Sequence, residues 1–98
     1  MKIEQTRDNT TLTLALEGRL DTITAPELEQ VVNGSLDGLT ALIFDFAKLE
    51  YVSSAGLRVL LGAQKKMNKQ GKMEVKNVCA EIMEVLDITG FSDILTIV

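Results

Sequence analysis

Histidine and tryptophan are absent from this 98-residue chain, and cysteine, proline and tyrosine each occur once. Without histidine, neither a Ser-His-Asp triad nor a Cys-His pair can be assembled. A zinc site of the usual His and Cys ligands is out of reach with a single thiol. Cys79 has no partner for an internal disulfide, and the role expected of it is that of a small buried apolar residue. No apolar run approaches the roughly 20 residues needed to cross a bilayer, so no membrane span is expected. Met1-Lys2-Ile3-Glu4-Gln5 lacks the apolar stretch of a signal peptide, and a cytoplasmic location is expected. Positive charge is also short: 10 Lys and Arg against 14 Asp and Glu give a net charge of −4. A nucleic-acid partner requires a basic surface, so no such partner is expected. Lys65, Lys66, Lys69 and Lys72 do cluster, and read as a solvated helix face and its exit. No Gly-rich phosphate loop is present, so nucleotide belongs to a partner and not to this chain. Neither a cofactor nor a metal is expected.

What is present is a globular composition, 46% hydrophobic and 24% charged, too apolar for disorder. The length fits one domain over residues 1–98. Met1 to Arg7 reads as an edge strand, followed by the polar turn Asp8-Asn9-Thr10. Thr11 to Glu17 alternates strictly, with Leu12, Leu14 and Leu16 inward, and Gly18 is expected to end it. Thr24-Ala25-Pro26-Glu27 has the form of a capping box with proline in the first turn. Leu28, Val31, Val32 and Leu36 then recur at helical spacing up to Asp37-Gly38. Ala41 to Phe46, nearly all apolar, predicts a central strand covered on both faces, interrupted by Asp45. A second helix is predicted from Ser54 to Lys69, its stripe formed by Leu57, Leu60, Leu61, Gln64 and Met67. Met73 to Val78 alternates as a strand. A third helix is predicted over Ala80 to Ile88, with Ile82, Val85 and Leu86 inward. Gly90 suits a left-handed C′ position, and Phe91 would then fold onto Leu86. Ile94 to Val98 reads as a last strand.

The order β-β-α-β-α-β-α-β predicts an α/β fold, with a mixed, mostly parallel sheet and crossover helices. Partners of such sheets meet the loops at the C-terminal strand ends. Two such loops stand out, Leu20 to Thr24 and Glu50 to Gly56.

The second loop carries Ser53-Ser54-Ala55-Gly56-Leu57. A serine before a helix is first of all a cap, accepting hydrogen bonds from free N–H groups. The same position also suits a phosphoacceptor. A phosphate there meets unsatisfied donors and the positive end of the helix dipole. It adds about −1.5 to −2 charges to one patch without unfolding the domain. The small Ala55 and Gly56 leave room for another protein to approach the hydroxyl. Asp21 lies in the other loop. If the two loops are neighbours, its charge opposes an added phosphate; alternatively it only stabilises its own turn. A serine hydrolase would need a general base, for which only Lys48 and Lys65 are available in principle.

Four segments in order carry a resemblance: Leu16-Glu17-Gly18-Arg19-Leu20-Asp21; Thr24-Ala25-Pro26-Glu27-Leu28; Phe44-Asp45-Phe46 through Tyr51-Val52-Ser53-Ser54-Ala55-Gly56-Leu57-Arg58-Val59-Leu60; and Leu86-Asp87-Ile88-Thr89-Gly90-Phe91. Together they resemble the STAS-domain family of bacterial anti-sigma-factor antagonists over nearly the whole chain. The resemblance implies a small STAS domain and a non-enzymatic, phosphorylation-switched binding module. It places the phosphoacceptor at Ser54 and the acidic loop residue at Asp21. The residue before the phosphorylated serine is often aspartate in the family and is Ser53 here, which leaves two adjacent hydroxyls as candidates. The implied partners are an anti-sigma factor with serine-kinase activity, bound by the unphosphorylated antagonist, and a serine phosphatase. The surface expected to meet them comprises Asp21, Thr22, Ser53, Ala55 and Gly56. The fold is reused, so a module of another partner-switching or transport complex is the alternative.

Overall fold

A computed structural model describes all residues, Met1–Val98. Four strands form one sheet in the order β1-β2-β3-β4. β1 (Lys2–Asp8) and β2 (Thr11–Leu20) form an antiparallel hairpin, in which Asp8 faces Thr11 across Asn9-Thr10. Asn9 takes the left-handed φ of 56° that this tight reversal requires. α1 (Ala25–Ser35) and α2 (Ser54–Met67) are the crossovers that place β2, β3 (Ala41–Val52) and β4 (Lys72–Lys76) parallel. α3 (Ala80–Thr89) and a short 3₁₀ turn, Phe91–Asp93, complete the chain.

The alternation in β2 works as expected: Leu12, Leu14 and Leu16 are buried. Leu12 and Leu14 align by register with Leu42 and Phe44 of β3, and those with Met73 and Val75 of β4. Leu28 and Val32 of α1, Leu57, Leu60 and Met67 of α2, and Ile82 and Leu86 of α3 join the same cluster. All three helices therefore lie on one face of the sheet. Phe44 and Phe46, two apart on that face, meet edge to face with ring centroids 6.2 Å apart.

Several expectations are corrected. β3 is central, but it is not covered on both sides. Thr13, Ile43 and Glu74 align across the opposite face, as do Ala15, Asp45 and Lys76, and these residues stay only half-buried. Gly18 does not end β2. At φ 105° it sits at one of two register shifts against β3, and the strand continues to Leu20. β3 likewise runs on from Phe46 to Val52, because the shifted register keeps it paired with β2. β4 stops at Lys76, since Asn77 turns left-handed at φ 59°. The expected last strand reduces to one bridge, Val75 to Ile97. The 3₁₀ turn at 91–93 carries over into the expected strand: Ile94 is helical and the N–H groups of Ile94 and Leu95 both bond the Phe91 carbonyl, which leaves only 96–98 to pair. Gly90 is left-handed at φ 81° as expected, while Phe91 begins the 3₁₀ turn and packs half-buried on the core. Cys79 is the half-buried N-cap residue of α3, not a core residue.

Candidate functional site: the paired loops at Ser54 and Asp21

β2 and β3 are adjacent and parallel, and their final residues Leu20 and Val52 are register partners. Asp21 and Ser53 therefore leave the sheet side by side. The Ser53 N–H donates to the Leu20 carbonyl at 2.8 Å and ties the two exits together. The sheet reaches these loops through the extensions of β2 and β3, so the expected loop from Glu50 shrinks to Ser53.

Ser53 is extended (φ −98°, ψ 174°) and caps α2; its Oγ accepts from the Gly56 N–H at 3.4 Å. Ser54 is the first residue of α2 and is exposed. The capping bond belongs to Ser53, and Ser54, exposed beside it, makes no such bond. The first turn of α2 holds no acidic residue, whereas α1 has Glu27 and α3 has Glu81 there. The positive end of the α2 dipole is unneutralised by its own first turn.

Gly56 corrects an expectation. It is buried, so it offers no surface to a partner. A Cβ on it would lie 2.6 Å from Leu20 Cγ and 3.1 Å from the Leu20 carbonyl oxygen. Glycine here lets the helix start press against the end of β2, and it holds the two loops together. Ala55 is half-buried against the core, and Thr22 is exposed.

Asp21 organises its own loop. Its Oδ1 accepts from the N–H groups of Ile23 and Thr24, both at 3.0 Å, and its backbone carbonyl accepts from Ala25 N–H at 2.8 Å. The Thr24 hydroxyl donates to the Arg19 carbonyl at 2.7 Å and accepts from Asp21 N–H at 2.9 Å. The expected capping box is therefore replaced. Thr24 is already helical (φ −91°, ψ −19°) and makes no side-chain cap bond, because the turn begins earlier, at Asp21. The Thr24 N–H is the chief cause holding the Asp21 carboxyl below the usual carboxylate range. The Thr24 hydroxyl, the Ile23 N–H and the Arg19 charge add to this against a partial desolvation cost.

Sequence reasoning missed three neighbours. Arg19 Nε lies 3.8 Å from Asp21 Oδ2, and its guanidinium stands 4.1 Å over the Tyr51 ring. Ile23 is 86% exposed, the most exposed large apolar side chain of the chain. Its signal was legible: an isoleucine between two threonines, outside every apolar periodicity.

The family model for the STAS domain matches residues 2–98. BtrV of Bordetella bronchiseptica, named as an anti-sigma factor antagonist, is 30% identical over 99 residues, covering 99% of this chain and 85% of that protein. An anti-sigma factor antagonist from Mycobacterium paratuberculosis superposes with a TM-score of 0.88 at 23% identity, over 98% of this chain and 83% of that one. The anti-sigma factor antagonist SpoIIAA of Bacillus gives 0.79 unphosphorylated and 0.77 phosphorylated, each at 17% identity and over 99% of this chain; the shares of SpoIIAA covered are 87% and 91%. At these identities the structural likeness is one of fold.

Proposed function

The chain belongs to the STAS-domain family, and on that premise we propose that it is an anti-sigma-factor antagonist switched by phosphorylation of Ser54 in the cytoplasm. No helix is long and apolar enough to cross a membrane. The observation that carries the reading is the division of labour at α2: Ser53 takes the capping bond, and Ser54 stands exposed at the helix mouth. The unphosphorylated surface of Asp21, Thr22, Ser53, Ser54 and Ala55 binds a serine-kinase anti-sigma factor and releases its sigma factor. Gly56 acts from beneath, as the spacer that sets this surface.

The Ser54 Oγ then attacks the γ-phosphorus of the kinase's ATP. The bond to the β,γ-bridging oxygen breaks, ADP leaves, and the hydroxyl proton passes to a base of the kinase. A phosphatase reverses the change with water, releasing inorganic phosphate. The chain supplies a nucleophile and a surface; the catalytic groups belong to its partners. The added charge faces the acidic and phosphate groups of the kinase site and weakens the complex. A coupling of about 1–3 kcal/mol changes affinity about 5–150-fold. The fold needs no rearrangement, because the phosphate projects into solvent from a helix start that favours anions.

The test uses a serine-kinase anti-sigma factor, the class of partner proposed here, with ATP. Ser54→Ala should bind the ATP-loaded kinase and remain bound, while Ser54→Asp should bind poorly. Tight binding by Ser54→Asp refutes the switch.

A further inference from the structure

We propose that Ile23 is the apolar anchor by which the kinase partner grips this site, and that Asp21 acts as a positioning residue that holds Ile23 outward. The inference rests on the switch proposed above and names the contact that gives it affinity. Single exposed apolar residues are ordinary on protein surfaces. Ile23 differs in being fixed there and in where it stands. Its backbone N–H is held by Asp21 Oδ1 at 3.0 Å, and the next N–H, of Thr24, is held by the same oxygen at 3.0 Å. Thr24 is in turn clamped to the Arg19 carbonyl at 2.7 Å. The isoleucine is 86% exposed on a loop with little freedom left to lose, so burying it in a partner costs little ordering entropy.

Its surroundings are continuous with the phosphoacceptor. Arg19 links Asp21 to the 40% exposed Tyr51, and the Leu20 carbonyl bonds Ser53 next to Ser54. The loop that carries Ile23 is thus joined through Asp21 to an arginine stacked on a tyrosine, residue types enriched at interface centres. The kinase that takes Ser54 into its ATP site must come within reach of this loop. The partner accordingly presents an apolar pocket beside its nucleotide. Asp21 holds Ile23 through hydrogen bonds accepted by one oxygen, an arrangement that an isosteric amide retains.

The experiment measures Kd and phosphorylation kinetics with the kinase for wild type, Ile23→Ala, Ile23→Asp, Asp21→Asn and Asp21→Ala, each checked for folding by circular dichroism. Ile23→Ala should raise Kd and KM about tenfold with kcat unchanged, the loss expected for one buried apolar anchor, and Ile23→Asp should raise them further. Asp21→Asn, whose amide oxygen can still accept both N–H bonds while its charge is lost, should raise Kd clearly less than Asp21→Ala does, and Asp21→Ala should raise it at least as much as Ile23→Ala. Wild-type affinity in both Ile23 variants overturns the anchor. Asp21→Asn failing as badly as Asp21→Ala overturns the positioning role and returns Asp21 to a role of charge. Failure of the wild-type chain to bind or be phosphorylated counts against the switch itself and removes the inference with it.

Discussion

Replacing Gly56 by alanine tests how the site is assembled. The new methyl would lie 2.6 Å from Leu20 Cγ, 2.9 Å from its Cδ2 and 3.1 Å from its carbonyl oxygen. Cγ is a branch point held by a side chain with no exposure, so Leu20 cannot swing clear. Overpacking costs about 1–3 kcal/mol, and a contact this short against a fixed branch point belongs in the upper part of that range, about 2–3 kcal/mol. Alanine's helix propensity returns about 1 kcal/mol, leaving a net loss of about 1–2 kcal/mol. For a domain of this size each kcal/mol moves the midpoint by about 4–8 °C, so Gly56→Ala should melt about 4–15 °C below wild type. Gly62, in the same helix, has nothing within 4 Å of where a methyl would stand. Gly62→Ala should therefore stabilise by about 0.5–1 kcal/mol and raise the midpoint. Thermal melts followed by circular dichroism read both. Shifts in the same direction, or a Gly56→Ala protein as stable as wild type, would refute the role given to the Leu20 contact. Because the Leu20 carbonyl also holds Ser53, the Gly56 variant should lose partner affinity as well.

The two serines should separate in the same assay. Ser53→Ala removes a long, 3.4 Å cap bond and should cost about 0.5–1 kcal/mol, whereas Ser54→Ala should stay within about 0.5 kcal/mol of wild type; equal losses would contradict the division of roles. Asp45 gives a pH signature. The Asn77 amide, at 2.9 Å, is the first cause of its lowered pKa, with the Ala47 N–H and Lys76 adding to it. A folded pKa below the unfolded 3.8 means that this stabilisation is present above about pH 4 and is lost as pH falls through the folded value. The stability gap between wild type and Asp45→Asn, from urea melts, should thus shrink between pH 6 and pH 3. A gap that holds or widens in acid would contradict it.

Much of this was legible in the residues alone. Leu12, Leu14 and Leu16 announced a half-buried strand, the stripe from Leu57 to Met67 announced α2, and Gly90 announced the end of α3. Those signals are local and periodic, and local physics decides them. What escaped depended on tertiary register. Gly18 looks like a terminator, yet a positive φ inside a paired strand makes a bend and not an end. The apolar Ala41–Phe46 run suggested cover on both faces, while the three helices all crossed on one side. Thr24 and Glu27 fit a capping box, but Asp21 captured the turn three residues earlier. Within the site, Ser53, Ser54 and Asp21 were named from sequence. That Gly56 faces Leu20, and that Tyr51 of β3 meets Arg19 of β2, depends on how β2 and β3 end side by side, which no single segment encodes.

The most direct measurement on the central claim is to incubate the chain with the proposed serine-kinase partner and ATP, then map the phosphate by mass spectrometry. The account predicts one phosphate, on Ser54, with the chain's circular dichroism spectrum unchanged. A phosphate on Ser53 or Thr22, or loss of folded structure once Ser54 is modified, would contradict it.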